Sequence, residues 1–226
     1  YNCDMICFVI ALDGEAAPVL ANMQDIARED IYGKKVYSGK LCGDEVRVLV
    51  CGVGKVNAAC AAMLAIDRFK ADAIINIGTA GALNRSMEIG GIYPVSHAAQ
   101  YDFDLKQING TDIGVLNEFS ERWLPLACAG EGGKKVATGD RFNDDRADFF
   151  MLRDDFCADL RDIECGAAAQ VCAHAKVPLY AFKVVSDVAG SGSTTEQYCD
   201  NIALCYKNIE RDICGIYAAV LQNLKG

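Results

Sequence analysis

Residues 73–83 read AIINIGTAGAL. Four apolar side chains in five positions, Ala73 to Ile77, make a short strand with apolar groups on both faces, and the glycine-flanked GTAG that follows ends it in a turn. Strands of that kind belong in the middle of a sheet covered on both sides. The same form recurs at Met5–Leu12 and at Pro178–Ser186. Working outward, Gly14 to about Glu29 carries apolar residues at 19, 20, 23, 26 and 27, a helical period. Lys35–Leu41 and Glu45–Cys51 alternate like paired strands about a turn at Cys42–Asp44, and Val56–Phe69 is Ala-rich and helical. Further strands are expected at Gly90–Gln100, Lys135–Gly139 and Asp159–Ile163, and further helices at Asp144–Arg153 and Glu164–Ala175. From Thr195 one long stripe runs through 198, 202, 205, 209, 213, 216, 220 and 224. Residues 101–133 show no clear period.

Strands alternating with helices predict an α/β fold with a mixed central sheet flanked by helices. No linker, repeat or low-complexity stretch divides residues 1–226, so a single domain is expected. Lys plus Arg number 22 against 31 for Asp plus Glu, a net charge of −9, and no basic cluster offers a nucleic-acid grip. The apolar run at Met5–Leu12 is far short of the roughly 20 residues that span a bilayer. It also lacks a basic leader, so a cytoplasmic protein with no membrane partner is expected. The 12 cysteines include no C-x-x-C pair and there are only two histidines, which argues against a metal site. Set among small apolar residues, as in CGVGKVNAAC and CGAAAQVC, they read as reduced core thiols. CGVGKV is not a phosphate loop, because Leu49 and Val56 replace its first glycine and its hydroxyl residue. No dinucleotide fingerprint follows any strand, and no cofactor is expected.

In open α/β sheets ligands gather at the carboxyl ends of the strands. Glu15, Thr79, Glu164 and the pair Ser186-Asp187 all fall there. Taken singly, each acid has an ordinary explanation as a cap or first-turn carboxylate. Together they bring three carboxylates and a hydroxyl from separate strands, with Lys183 the one basic neighbour in sequence. Clustered carboxylates split their pKa values, which equips a site to break a glycosidic bond through a cation-like transition state.

The ordered segments FVIALDGEAAPVL (8–20), CGVGKVNAA (51–59), NIGTAGAL (76–83), ATGDRF (137–142), DIECGAAAQVCA (162–173) and VVSDVA (184–189) resemble the methylthioadenosine/S-adenosylhomocysteine nucleosidases of the purine nucleoside phosphorylase superfamily. The resemblance implies a nucleoside phosphorylase-like fold, hydrolysis of the nucleoside substrates 5′-methylthioadenosine, S-adenosylhomocysteine and 5′-deoxyadenosine with release of adenine, and no cofactor. It makes Glu15 the base that activates water and Asp187 the acid that protonates adenine N7, oriented by Ser186. Glu164 would hold the ribose hydroxyls over Ile163, and Thr79 would stand near the water. Phe142 would stack on adenine beside the backbone of Asn143, with Val53 and Leu12 on the alkylthio side and Tyr198 as an aromatic lid. A homodimer is implied too, with QYDFDLKQING (100–110) covering the partner's pocket.

Two departures stand out: Asp162 replaces a usual Glu, and Lys183 replaces an Arg usual near the water site. Asn76 stands where the phosphorylases carry Arg, and Glu15 would repel phosphate, so hydrolysis is favoured over phosphorolysis. Lys55, Arg85 and Arg141 keep the phosphorylase open as an alternative, and a non-catalytic nucleoside-binding protein is a third reading. An acid at 187 suits a 6-aminopurine; futalosine-type nucleosides remain relatives of the expected substrates.

Overall fold

The computed structural model describes residues 5–225. The ends of the expected domain, residues 1–4 and 226, lie outside them, Cys3 included. The chain runs β1 (Ile6–Ile10), α1 (Asp13–Ala21), β2 (Met23–Ile31), β3 (Lys34–Leu41), β4 (Asp44–Val50), α2 (Lys55–Phe69), β5 (Ala73–Ala82) and β6 (Ile92–Gln100). It continues through α3 (Lys106–Asn109), β7 (Leu124–Pro125), β8 (Lys134–Thr138) and α4 (Arg146–Phe150), which runs into a π-helical turn at Met151–Asp155. The last elements are β9 (Leu160–Asp162), α5 (Cys165–Ala175), β10 (Leu179–Val188) and α6 (Thr194–Lys225).

All ten strands join one mixed sheet, the fold class expected from the sequence. β1 lies parallel between β4 and β5, and β5 lies parallel to β10. β10 then pairs antiparallel with β6, β6 parallel with β8, β8 parallel with β9, and β9 antiparallel with the end of β5. Five strands therefore close into a ring, and β1, β4, β3 and β2 extend from it in that order. Strand alternation sends side chains to two layers. From β1, Cys7 and Val9 pack with Ala61, Ala62 and Ala65 of α2 and Ala168 and Ala169 of α5. Ile6, Phe8 and Ile10 face the other way, onto Val19 of α1 and Ile209, Ile213 and Tyr217 of α6. Alanines on the first face let α2 and α5 lie close against each other and the sheet. Ile209, Ile213 and Val220 on the second face fulfil the stripe read in the sequence, with Tyr217 buried and Ile216 only partly so.

The helix expected from Gly14 to about Glu29 ends at Ala21, and residues 23–31 form an outer strand instead. Asn22 stops the helix by donating its side-chain amide to the Pro18 and Glu210 carbonyls, both at 3.0 Å. Tyr32 and Gly33, at φ 49° and 74°, then make the tight two-residue turn whose twist suits a hairpin, so β2 folds back on β3. Ile26, one of the supposed helical positions, is exposed. Cys42-Gly43 repeats that turn between β3 and β4, where the Cys42 sulfur meets that of Cys214 at 2.6 Å. Cys7, Cys51, Cys165, Cys172 and Cys205 are buried, and burial pushes the thiols of Cys7, Cys51 and Cys172 up to about 12. Cys42, Cys60, Cys157, Cys199 and Cys214 are exposed, so the reading as core thiols holds only for part of the set. No helix among the described residues is long and apolar enough to cross a membrane.

Candidate active site

Glu15 lies in the first turn of α1, just beyond β1, and is 3% exposed. The last residues of β5 hold it: the Thr79 amide and hydroxyl both donate to Oε1, at 2.7 and 2.8 Å, and the Leu12 amide donates to Oε2 at 3.3 Å. Gly78 makes room for this, since a Cβ there would stand 3.0 Å from Oε1. Burial lifts the Glu15 carboxyl above its usual range; the two Thr79 hydrogen bonds and the Lys183 charge pull it back in part.

Asp187 reaches the same place because β10 bulges. Val185 pairs with Ala80 and Asp187 with Gly81, so Ser186 is the extra residue, and the kink re-aims the acid. The Ser186 hydroxyl donates to Asp187 Oδ2 at 2.9 Å, while Oδ1 is buried without a hydrogen-bond partner among the described residues. Burial again raises this carboxyl, opposed by Ser186 and by the charge of Arg161, whose guanidinium is 3.8 Å away.

Glu164 sits at the junction of β9 and α5 and accepts from the Gly54 amide at 2.9 Å. The next amide of that turn, Lys55, donates to Asp140 at 2.8 Å. The N-terminus of α2, a natural anion site, is therefore filled by the protein's own carboxylates. Burial, then the charge of Asp162, takes the Glu164 carboxyl up to about 7, with Lys183 acting against the rise.

Lys183, which the resemblance puts near the water site, is buried and does not line the cavity, although its charge acts on Glu15. Its ammonium bonds Asp162 at 2.7 Å and the Asn76 side-chain oxygen at 2.8 Å. Asp162 is also held by the Thr138 hydroxyl and the Cys165 amide. Burial works against the lysine's charge, but Asp162 and the other anionic groups around it outweigh that and raise its pKa.

Leu12, Glu15, Val53, Thr79, Phe142, Ile163, Glu164, Ser186, Asp187 and Tyr198, ten of the eleven residues singled out in the sequence, line one cavity of about 430 Å³. That is the size of a small-ligand site. Phe142 and Tyr198 meet edge to face there, ring centroids 5.8 Å apart. Asn143 is not among the lining residues; its side-chain amide donates to Asp148 at 2.9 Å and its oxygen accepts from the Asp145 amide. A second cavity, reaching Lys55, Asn57 and Asp140, shares Val53, Arg141, Phe142 and Ile163 with the first. Sequence reasoning missed Arg161, which lines the main cavity from a strand of only three residues. The cations that had kept phosphate in view are engaged: Lys55 with Asp102 at 2.6 Å, Arg141 with both oxygens of Asp148 at 3.2 Å, and Arg85 with the Gly190 carbonyl at 2.7 Å. Among the described residues no cluster of three His, Cys, Asp or Glu is arranged to hold a metal ion.

Residues 5–222 match the phosphorylase superfamily. The aminodeoxyfutalosine nucleosidase of Campylobacter jejuni is 30% identical over 197 residues, 82% of this chain and 86% of that one. A 5′-methylthioadenosine/S-adenosylhomocysteine nucleosidase of Colwellia psychrerythraea is 30% identical over 216 residues, 86% of this chain and 88% of its own. The fold also matches the crystal structure of a Colwellia psychrerythraea nucleosidase of that name in complex with adenine, with a TM-score of 0.88 at 24% identity over 99% of this chain and 97% of that one. The futalosine hydrolase of Helicobacter pylori superposes with a TM-score of 0.85 at 18% identity over 98% of this chain and 97% of its own.

Proposed function

The chain belongs to the phosphorylase superfamily, in its nucleosidase branch, and from that premise we propose that it hydrolyses the N-glycosidic bond of 5′-methylthioadenosine and S-adenosylhomocysteine, releasing adenine. One observation carries the reading: Glu15, Glu164 and Asp187 arrive from separate strand ends around a single cavity, each with its pKa raised by burial.

Adenine is a poor leaving group as an anion, so the reaction needs a proton on N7. Asp187 is the acid that supplies it, with Ser186 fixing one of its oxygens. As the bond stretches, positive charge grows on the ribose, and Glu15 both stabilises it and takes a proton from the attacking water. Glu164 holds the ribose hydroxyls over Ile163, and Thr79 orients Glu15 beside the water. Phe142 stacks on the base with the Asn143 backbone at its edge, while Leu12, Val53 and Tyr198 enclose the 5′ substituent. No cofactor enters these steps.

Water rather than phosphate is the nucleophile on this reading. The α2 N-terminus is occupied by Glu164 and Asp140, and Lys55 is bound to Asp102. The second cavity leaves space for longer 5′ groups, so aminodeoxyfutalosine belongs among the substrates to be tried.

The protein works as one cytoplasmic domain paired with a second copy. The exposed Ile108 and Val56, 83% and 80% accessible, support that pairing: Ile108 belongs to the 100–110 segment, and Val56 follows Lys55, which binds Asp102 of that segment. Gel filtration of the active protein tests it; a fully active monomer would refute it.

The reaction itself is tested by adenine release from 5′-methylthioadenosine in phosphate-free buffer and again with added phosphate. Release without phosphate is expected. Release only with phosphate would make the protein a phosphorylase and remove Glu15 from its role. Binding without release in either buffer would make it a nucleoside-binding protein.

A further inference from the structure

Arg161, Gly81 and Asp187 stand side by side across three strands: Gly81 of β5 pairs with Asp187 of β10 on one side and with Arg161 of β9 on the other. The middle residue has no side chain. A Cβ at 81 would lie 2.7 Å from Asp187 Oδ1 and 3.1 Å from Arg161 Nε, so the glycine is a window through which cation and acid face each other. The two groups are complementary in what they lack. Asp187 Oδ1 is a buried acceptor with no donor, and the Arg161 guanidinium, its side chain 12% exposed, makes no hydrogen bond among the described residues. Buried polar groups left this way call for an explanation.

We propose that Arg161 is a positioning residue for Asp187, holding the acid's outer oxygen through the Gly81 window and making it a stronger proton donor to the purine. The proposal rests on the reaction assigned above. Ser186 fixes Oδ2 with a hydrogen bond from the same strand, and the Arg161 charge, 3.8 Å from Oδ1, attracts the other oxygen, so the two together set the carboxyl plane. A fixed plane matters because N7 lies in the plane of the base, and a proton must travel along its lone pair.

The charged and titratable neighbours of Asp187 come from several elements. Arg161 faces it from β9, Asp144 from the segment before α4, and the Cys205 thiol from α6; Glu15, Arg141, Asp162, Glu164, Tyr198 and Cys199 share the cavity. Arg161 stands within ion-pair distance of Asp187, at 3.8 Å, and acts against the rise that burial imposes on it, whereas Arg141 is bound to Asp148. Its loss therefore makes Asp187 a weaker acid. The acid must hold its proton when turnover begins, so the alkaline limb of the kcat profile moves to higher pH while kcat itself falls.

The test compares wild type with Arg161→Met, Arg161→Gln and Arg161→Lys. The carboxyl carbon of Asp187, assigned by its absence in Asp187→Asn, is titrated by NMR in each. The Met and Gln variants are expected to titrate roughly one pH unit higher than wild type, and the Lys variant close to wild type. In adenine release from 5′-methylthioadenosine, the Met and Gln variants should lose about tenfold in kcat with KM changed less than about threefold, and Lys should recover most of the loss. An unmoved titration in a folded Met or Gln variant overturns the proposal. So does a large KM effect with an unmoved alkaline limb, which would place Arg161 on the base itself. The titration needs no turnover. A wild-type protein that releases no adenine would thus refute the assigned reaction, while the titration still decides the role of Arg161.

Discussion

Thr79 grips a single oxygen of Glu15 with two donors, its amide at 2.7 Å and its hydroxyl at 2.8 Å. Oε2 keeps only the longer bond from the Leu12 amide. A carboxylate held at one oxygen has a fixed orientation and a second oxygen with spare acceptor capacity, which is what a base for water requires. Replacing Glu15 by Gln preserves shape and removes the proton acceptor. Adenine release should fall by roughly 10²–10⁴ with the thermal midpoint little changed. A variant keeping more than about a tenth of wild-type activity would rule Glu15 out as the base.

The grip itself can be divided. Thr79→Ser keeps both donors and should stay near wild type. Thr79→Ala keeps the amide and loses the hydroxyl, a net loss of about 1 kcal/mol in holding the base, or roughly fivefold in kcat. Steady-state kinetics on the pair checks it, and equal losses in both variants would point to the methyl group instead.

Asp187→Asn separates chemistry from binding. The amide can still hydrogen-bond a base edge but delivers no proton to N7. Turnover should drop by roughly 10²–10⁴, while a nucleoside analogue with a non-cleavable bond still binds by calorimetry. Retained turnover would move the acid elsewhere in the cavity.

Gly81→Ala closes the space between Arg161 and Asp187. With a Cβ 2.7 Å from Oδ1, the acid must shift, and the site lacks slack because Ser186 fixes its other oxygen. A fall of at least about tenfold in kcat is expected, with a stability loss of about 1–3 kcal/mol from overpacking, read by chemical denaturation. Activity at the wild-type level would mean that the alignment of Asp187 tolerates displacement.

Stability should depend on pH through Glu164, whose carboxyl rises from 4.5 to about 7 on folding. Between those values the folded state holds a proton that the unfolded chain has lost. Stability is then complete below about pH 4.5 and declines as pH rises through about 7. The contribution is about 3 kcal/mol, which for a chain of this size lowers the thermal midpoint by roughly 5–10 °C between pH 5 and pH 8. Glu15 and Asp187, also raised by burial, act in the same direction. Glu164→Gln should flatten the dependence, as thermal melts at several pH values would reveal; an unchanged slope would assign it to other groups.

The strands that place these residues were legible because they are buried on both faces. β1, β5 and β10 are apolar runs that resist any other reading, and Glu15 follows where β1 stops; Thr79 and Asp187, expected just past their strands, lie within them, because β5 continues through the expected GTAG turn to Ala82 and β10 runs on to Val188. β2 was not legible from periodicity, since apolar residues at 26 and 27 imitate a helix; the Tyr32-Gly33 turn was the available signal. Arg161 escaped for a different reason. It stands on a three-residue strand beside Asp162, and only the pairing of β9 with β5 brings it to Asp187. The partners of Lys183 were not legible either, since Asp162 and Asn76, which hold it, come from other strands. The bulge at Ser186 has no signature in composition at all.

The ring of strands also imposes an order on synthesis. β10 bonds both β5 and β6, yet it is the last strand in the chain among those described. A growing chain that has released β1 through α5 from the ribosome already carries Glu15 and Glu164 but has a gap where the sheet should close. Its β5 and β6 present unpaired edges to other chains until β10 emerges, a hazard for aggregation. Asp187 lies in β10 itself and Tyr198 in the helix that follows it, so the proposed acid and the proposed lid emerge together with the strand that closes the sheet.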